Sequence, residues 1–154
     1  MAGLTRGEVV RSLDWSGRHV FLTATQAITY AAHEGRRLVM NAAGAALTFT
    51  LPKCIGEGHR YYFVVGVVNT ANYVITTAVA GDTFGGSLSN LSTSTDFMEG
   101  FASGTTSVTI TLNGDAQGGF SIGDWVEVID ISTSKWAVRG MTDTNSASGA
   151  TPFS

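Results

Sequence analysis

Apolar and polar residues alternate along much of this chain, and a period of two predicts strands with one buried face. The run Leu47-Thr48-Phe49-Thr50-Leu51 puts leucine and phenylalanine on one face and threonine on the other, and Pro52 ends it. Val108, Ile110 and Leu112 share a face in the same way within residues 107–112. The clearest pair is a hairpin over residues 125–130 and 135–140. Val126 and Val128 alternate with Trp125, Glu127 and Ile129, and Trp136 and Val138 alternate with Lys135, Ala137 and Arg139. Two of the three tryptophans sit here, and a tryptophan buries enough apolar area to fix where a small core lies.

Shorter runs fill in the rest. Residues 19–23, 28–30 and 37–40 are predicted short strands, with a break at His33-Glu34-Gly35. Residues 60–68 are apolar on both faces, which predicts a central strand covered on both sides. A turn over 69–72 and the run 73–77 predict a hairpin with it. Glycines make residues 81–87 a turn-rich link, and Ser, Thr and Asn make 88–95 a loop. Residues 96–102 form a weaker strand, and Asn113-Gly114 is a turn dipeptide. The whole predicts an all-β, antiparallel sandwich or barrel-like domain over residues 19–140, with nine to eleven strands, under about 10% helix and no repeat of fixed period. Residues 1–18 lack a period and predict an extended arm, with a short helix near Glu8 as a variant. Residues 141–154 are rich in Thr, Ser, Ala and Gly and predict an extended tail.

Composition supports this picture and sharpens one part of it. The chain holds 19 Gly, 20 Thr and 14 Ser, which suits short strands joined by many turns. Only 14% of residues are charged, against about 25% in typical domains, which fits a surface that spends its life assembled. Residues 1–60 hold seven of the nine basic residues, and residues 61–154 hold eight of the twelve acidic ones. A basic N-terminal part on an acidic body suits orientation on a partner, with a chance imbalance of exposed charges as the alternative. There is no dense Lys/Arg patch, so nucleic acid is not an expected ligand. The longest apolar run, residues 61–68, is too short for a membrane helix, and Arg6, Glu8, Arg11 and Asp14 interrupt any signal-peptide core.

No motif defines a reaction. Gly85-Gly86-Ser87-Leu88-Ser89 lacks the second glycine of a nucleophile elbow. His33-Glu34-Gly35-Arg36-Arg37 has arginine where a zinc protease needs its second histidine. His19, His33 and His59 read as surface or turn residues. Asp82, Asp115, Asp124 and Asp130 sit beside turns, where aspartate usually caps backbone, with a calcium site as the alternative. Glu127 and Asp130 read as solvent-facing residues of the hairpin. Cys54 is single and reads as a small buried hydrophobe. Trp15, Trp125 and Trp136 suit a core, with a sugar-stacking platform as the alternative. No catalytic residue, cofactor or metal is expected.

The landmarks Thr50-Leu51-Pro52, Gly81-Asp82-Thr83, residues 109–114, Gly118-Gly119, Gly123-Asp124-Trp125-Val126-Glu127, Asp130-Ile131, residues 136–140 and Thr151-Pro152-Phe153-Ser154 occur in this order. Together they resemble a group of small structural proteins of tailed bacteriophages, from about Leu47 to the C-terminus. The resemblance implies a non-enzymatic head decoration, or cement, protein. Such a protein is made in the host cytoplasm, binds the major capsid protein on the outside of the virion, and stabilises contacts between capsomers. The expected assembly is a homotrimer, with a dimer as the alternative. The expected contact residues are those of the arm: Leu4, Arg6, Val9, Arg11 and Trp15. The alternative role is a tail or receptor-binding component with a carbohydrate-binding sandwich.

Overall fold

A computed structural model describes residues 18–154, so the arm and its five expected contact residues lie outside the described part. The described residues are 47% strand and 4% helix, in one sheet of seven strands packed on one of four. In chain order the strands are β1 (His19–Leu22), β2 (Gln26–Ala27), β3 (Arg37–Met40), β4 (Leu47–Thr50), β5 (Arg60–Val65), β6 (Tyr73–Thr76), β7 (Thr83–Ser92), β8 (Phe97–Ala102), β9 (Thr109–Leu112), β10 (Trp125–Ser132) and β11 (Lys135–Thr144). Among the described residues a single short helix, α1 (Tyr30–His33), replaces the strand expected at 28–30; Thr29 caps it by accepting a hydrogen bond from the Ala32 N–H.

The large sheet runs β1-β3-β5-β10-β11-β7-β8 and the small one β2-β4-β6-β9. The pairings are mixed, where an antiparallel sandwich was expected. From β1 to β6 the chain alternates between sheets, and each new strand lies parallel to the one two places before it. The first half is therefore three rungs of a parallel coil. The second half closes it with the antiparallel strands β10 and β9 and the hairpin β10–β11. One consequence is that β5 and β6 do not form the expected hairpin, because the turn between them carries the chain from one sheet to the other.

The core lies between the sheets. Leu38, Met40, Tyr61, Phe63, Val126, Val128 and Trp136 point inward from the large sheet and meet Phe49, Tyr73, Ile75, Ile110 and Leu112 from the small one. Phe49 sits at the centre, stacked 6.0 Å from Phe63 and 6.1 Å from Tyr73. Only one face of β5 is fully buried; Tyr62 and Val64, on its other face, stay half-exposed.

Two segments read as turns or tails belong to the fold. Residues 83–92 form a ten-residue strand, β7, whose Gly86 lets the backbone of β11 come close. At Gly86 φ is +144°, and a Cβ there would stand 2.0 Å from the Val138 carbonyl oxygen. The inward face of β7 turns polar at Asn90 and Ser92, which bond to the Ala116 and Ser146 carbonyls. The terminal residues, expected as a tail, complete both sheets: β11 continues to Thr144, and Phe153 is buried and bridges to Ile110. The Ser154 carbonyl accepts from Val108 and Thr109, which covers the outer edge of β9.

Candidate functional site

The two outer faces differ in chemistry. On the small sheet, Thr48, Thr50, Thr76, Thr109 and Thr111 face outward with Val74, a polar surface with no charge. The large sheet carries two rows across its strands, set by strand register. Phe21, Val39, Val64, Trp125 and Met141 are consecutive partners over β1, β3, β5, β10 and β11. At about 4.8 Å per strand this apolar row is roughly 20 Å long. Its ends are the most open, with Phe21 62% and Met141 46% exposed. An apolar row of this kind, rimmed by polar groups, marks an interaction surface.

The neighbouring row is His19, Arg37, Tyr62, Glu127 and Arg139, again consecutive partners. Arg60 lies diagonal to it. Glu127 is only 5% exposed; it accepts from Arg139 Nε and forms an ion pair with Arg60, whose Nε lies 3.2 Å from its carboxylate. A buried carboxylate between two guanidiniums is paired, and in turn it holds both arginines against the sheet. Tyr62 and Trp125 stack at 5.3 Å with planes 15° apart, forming a flat aromatic step between the rows. A hollow of about 300 Å³ opens beside them, lined by Gly35, Arg36, Arg37, Arg60, Tyr62 and Glu127. A second, of about 250 Å³, is lined by His19, Arg37, Val39, Tyr62, Val64 and Gly123. Both are shallow and share Arg37 and Tyr62. This face can grip an apolar surface that carries anionic groups.

The other residues weighed as sites have structural roles. Asp130, read as solvent-facing, is fully buried, and its carboxylate accepts from the backbone N–H groups of Ile55, Gly56 and Glu57. It points inward because it shares a face with Val126 and Val128. Glu127 has the outward parity expected but is covered by its two arginines. Asp82 accepts from the Cys54 N–H at 2.9 Å. Burial, reinforced by Asp82 and Asp130, pushes the Cys54 thiol up to about 12, which leaves it unreactive at neutral pH. His33 is buried in α1, where its Nδ1 accepts from the Thr29 N–H, while His59 lies between Glu34 and Glu57. Among the described residues no group of three His, Cys, Asp or Glu gathers as a metal site requires, and no helix is long and apolar enough to cross a membrane. Trp125 belongs to the outer face and Trp136 to the core, so the two tryptophans of the hairpin do not form one platform.

Asp124 supports the rim of this face. It is 6% exposed and accepts from the Asp143 N–H at 2.8 Å and the Ser121 N–H at 3.3 Å. Burial outweighs these bonds and pushes its carboxyl up to about 6. A carboxyl raised in the folded state adds stability that is full below about pH 4 and is lost as pH rises through about 6. Asp124→Asn should therefore flatten this part of the profile. The stability difference between wild type and variant should fall by of order 2 kcal/mol from pH 4 to pH 7. Urea denaturation at four pH values in that window measures it; a constant difference would remove Asp124 as the titrating group.

Sequence reasoning missed the outer face. The available signal was the alternate residues of 60–64, Arg60-x-Tyr62-x-Val64, which match Arg37-x-Val39 and Trp125-x-Glu127 once the register is known. Comparison with known proteins finds no matching family model, no matching curated protein and no matching solved structure.

Proposed function

We propose that this chain is a non-enzymatic structural protein of a bacteriophage virion, a decoration protein that seats the outer face of its large sheet on the major capsid protein at the head surface. The observation that carries the reading is the apolar row from Phe21 to Met141, aligned over five strands and bordered by arginines. The order of landmarks from Leu47 onward supports the phage context. A rigid sheet presents such a row with little ordering cost, and many weak copies on one lattice bind through avidity. The arm residues Leu4, Arg6, Val9, Arg11 and Trp15 remain proposed as a second attachment point.

The test is co-sedimentation of the purified chain with empty heads assembled from the major capsid protein of the same phage. The wild type should saturate the heads. The double variant Phe21→Ser/Met141→Ser alters only exposed side chains, so it should fold normally and bind at least about 10-fold more weakly, the loss of roughly 1.4 kcal/mol. A chain that purifies with tails and never with heads contradicts the reading. The stacked Tyr62–Trp125 pair beside arginines favours one second reading, a receptor-binding module that stacks a sugar ring on this step. Retention on an immobilised glycan, lost in Trp125→Ala, would favour it.

A further inference from the structure

The loop before β6, the loop after β9 and the segment after β11 meet at one end of the sandwich. Between them lies a hollow of about 430 Å³, larger than either hollow of the outer face. Small-molecule sites usually measure about 300–1,000 Å³. Thr70, Asn72, Asn113, Asp115, Phe120 and Asn145 line it. None of these six belongs to the apolar row or to the row that carries the arginines.

The walls are held by bonds that leave most of the lining side chains unengaged. Asn69, 1% exposed, ties the first loop: its Nδ2 donates to the Ala45 carbonyl at 2.8 Å, and its Oδ1 accepts from the Ala71 N–H at 3.0 Å. Gly114 packs against this turn with φ at +65°, and a Cβ there would stand 3.1 Å from the Asn69 carbonyl oxygen. The second loop is closed by the Gly114 N–H on the Gly118 carbonyl and by Asn113 Oδ1, which accepts from the Asp115 and Gln117 N–H groups. The Phe120 N–H donates to the Asp143 carbonyl. By contrast, the amides of Asn72 and Asn145 and the Asp115 carboxylate make no hydrogen bond or ion pair among the described residues, and the Asn113 amide keeps its N–H groups to donate.

We propose that this hollow binds a neutral sugar, a pyranose ring laid against Phe120 and held by Asn72, Asn113, Asp115 and Asn145. Asn72 and Asn145 each offer a donor beside an acceptor, which suits adjacent hydroxyls; Asn113 adds donors, and the Asp115 carboxylate accepts from two hydroxyls more. The phenyl ring takes the apolar C–H face of the sugar. Among the described residues no lysine, arginine or histidine lines the hollow, so an anion would meet only the charge of Asp115. Calcium takes six to eight oxygen ligands and favours several carboxylates, and one exposed aspartate beside a phenyl ring is a poor match for it. Both loops are pinned before a ligand arrives, so little ordering opposes binding. The site shares no residue with the Tyr62–Trp125 step and does not depend on what the outer face meets.

NMR titration of the isotope-labelled full chain tests it, with glucose, galactose, mannose, rhamnose and N-acetylglucosamine added one at a time. At least one should shift the side-chain amide signals of Asn72, Asn113 and Asn145 together and saturate with a Kd of about 1–10 mM. Asn72 has φ at +84°, so Asn72→Gly keeps the turn while removing the amide. Asp115→Ala removes a carboxylate that bonds nothing inside the described chain. Each variant should keep the core signals of the wild type and bind the same sugar at least about 10-fold more weakly. Calcium chloride and glucuronate are the contrasting probes. Saturation by calcium alone makes the hollow a cation site, and saturation by glucuronate alone makes it an anion site; either result overturns the proposal. So does the lack of a saturable shift with every neutral sugar tried, or sugar binding that both variants leave at full strength.

Discussion

Trp136→Ala should lower stability by about 3–5 kcal/mol, the largest single effect expected in this chain. Trp136 is fully buried on β11, tilted 5.8 Å from Tyr61, and is the register partner of Asp130 on one side and Phe84 on the other. Removing the indole leaves a cavity on the large sheet's inner face near the hairpin end, where the strands cannot collapse because their backbone ladders fix the spacing. Its ring N–H has no hydrogen-bond partner, so Trp136→Phe, which fills most of the space, should cost only about 1–2 kcal/mol. Urea denaturation separates the two. An unchanged midpoint for Trp136→Ala would place this side chain outside the core. The expected loss is a large share of the roughly 5–15 kcal/mol that holds a typical domain together.

Asp130→Ala should cost about 3 kcal/mol and should act first on one loop. The carboxylate gathers the N–H groups of Ile55, Gly56 and Glu57 at 3.0, 2.8 and 3.4 Å. The Asp130 backbone adds a bond in each direction, to Gly58 and His59. These bonds fold residues 54–59 over the end of the hairpin, with Gly56 close against Ser132. Alanine leaves three donors without an acceptor, and the loop opens to find water. Trypsin should then cut after the exposed Lys53 at a concentration that leaves the wild type intact. Asp130→Asn keeps an acceptor and should be milder in both readouts. Equal resistance of Asp130→Ala and wild type would show that the loop is held by other contacts.

The core was legible in the sequence because alternation records which face is buried. Leu47, Phe49 and Leu51, then Ile110 and Leu112, then Val126, Val128 and Trp136 are all inward. The parallel coil was not legible, because its rungs differ in length. Arg37 pairs with His19 and with Tyr62, offsets of 18 and 25 residues, so no fixed period marks the repeat. β7 was hidden for a different reason. Its Gly86 serves a close backbone approach and its inward Asn90 and Ser92 are satisfied by hydrogen bonds, so it carries little of a strand's usual composition. Asp130 could have been placed inward from parity alone, but a charge near a hairpin end suggests solvent. The outer face was invisible for lack of register: Phe21, Val39, Val64, Trp125 and Met141 are spread over 121 positions, and only strand pairing brings them into one row.

That row is the centre of the proposed function, and a reconstruction of the virion proposed to carry this chain tests it most directly. The expected result is density for the β-sandwich on the outside of the head, with the Phe21-to-Met141 face against the capsid lattice and the threonine face of the small sheet toward solvent. Density at the tail, or a sandwich on the head with its large-sheet face pointing into solvent, would contradict it.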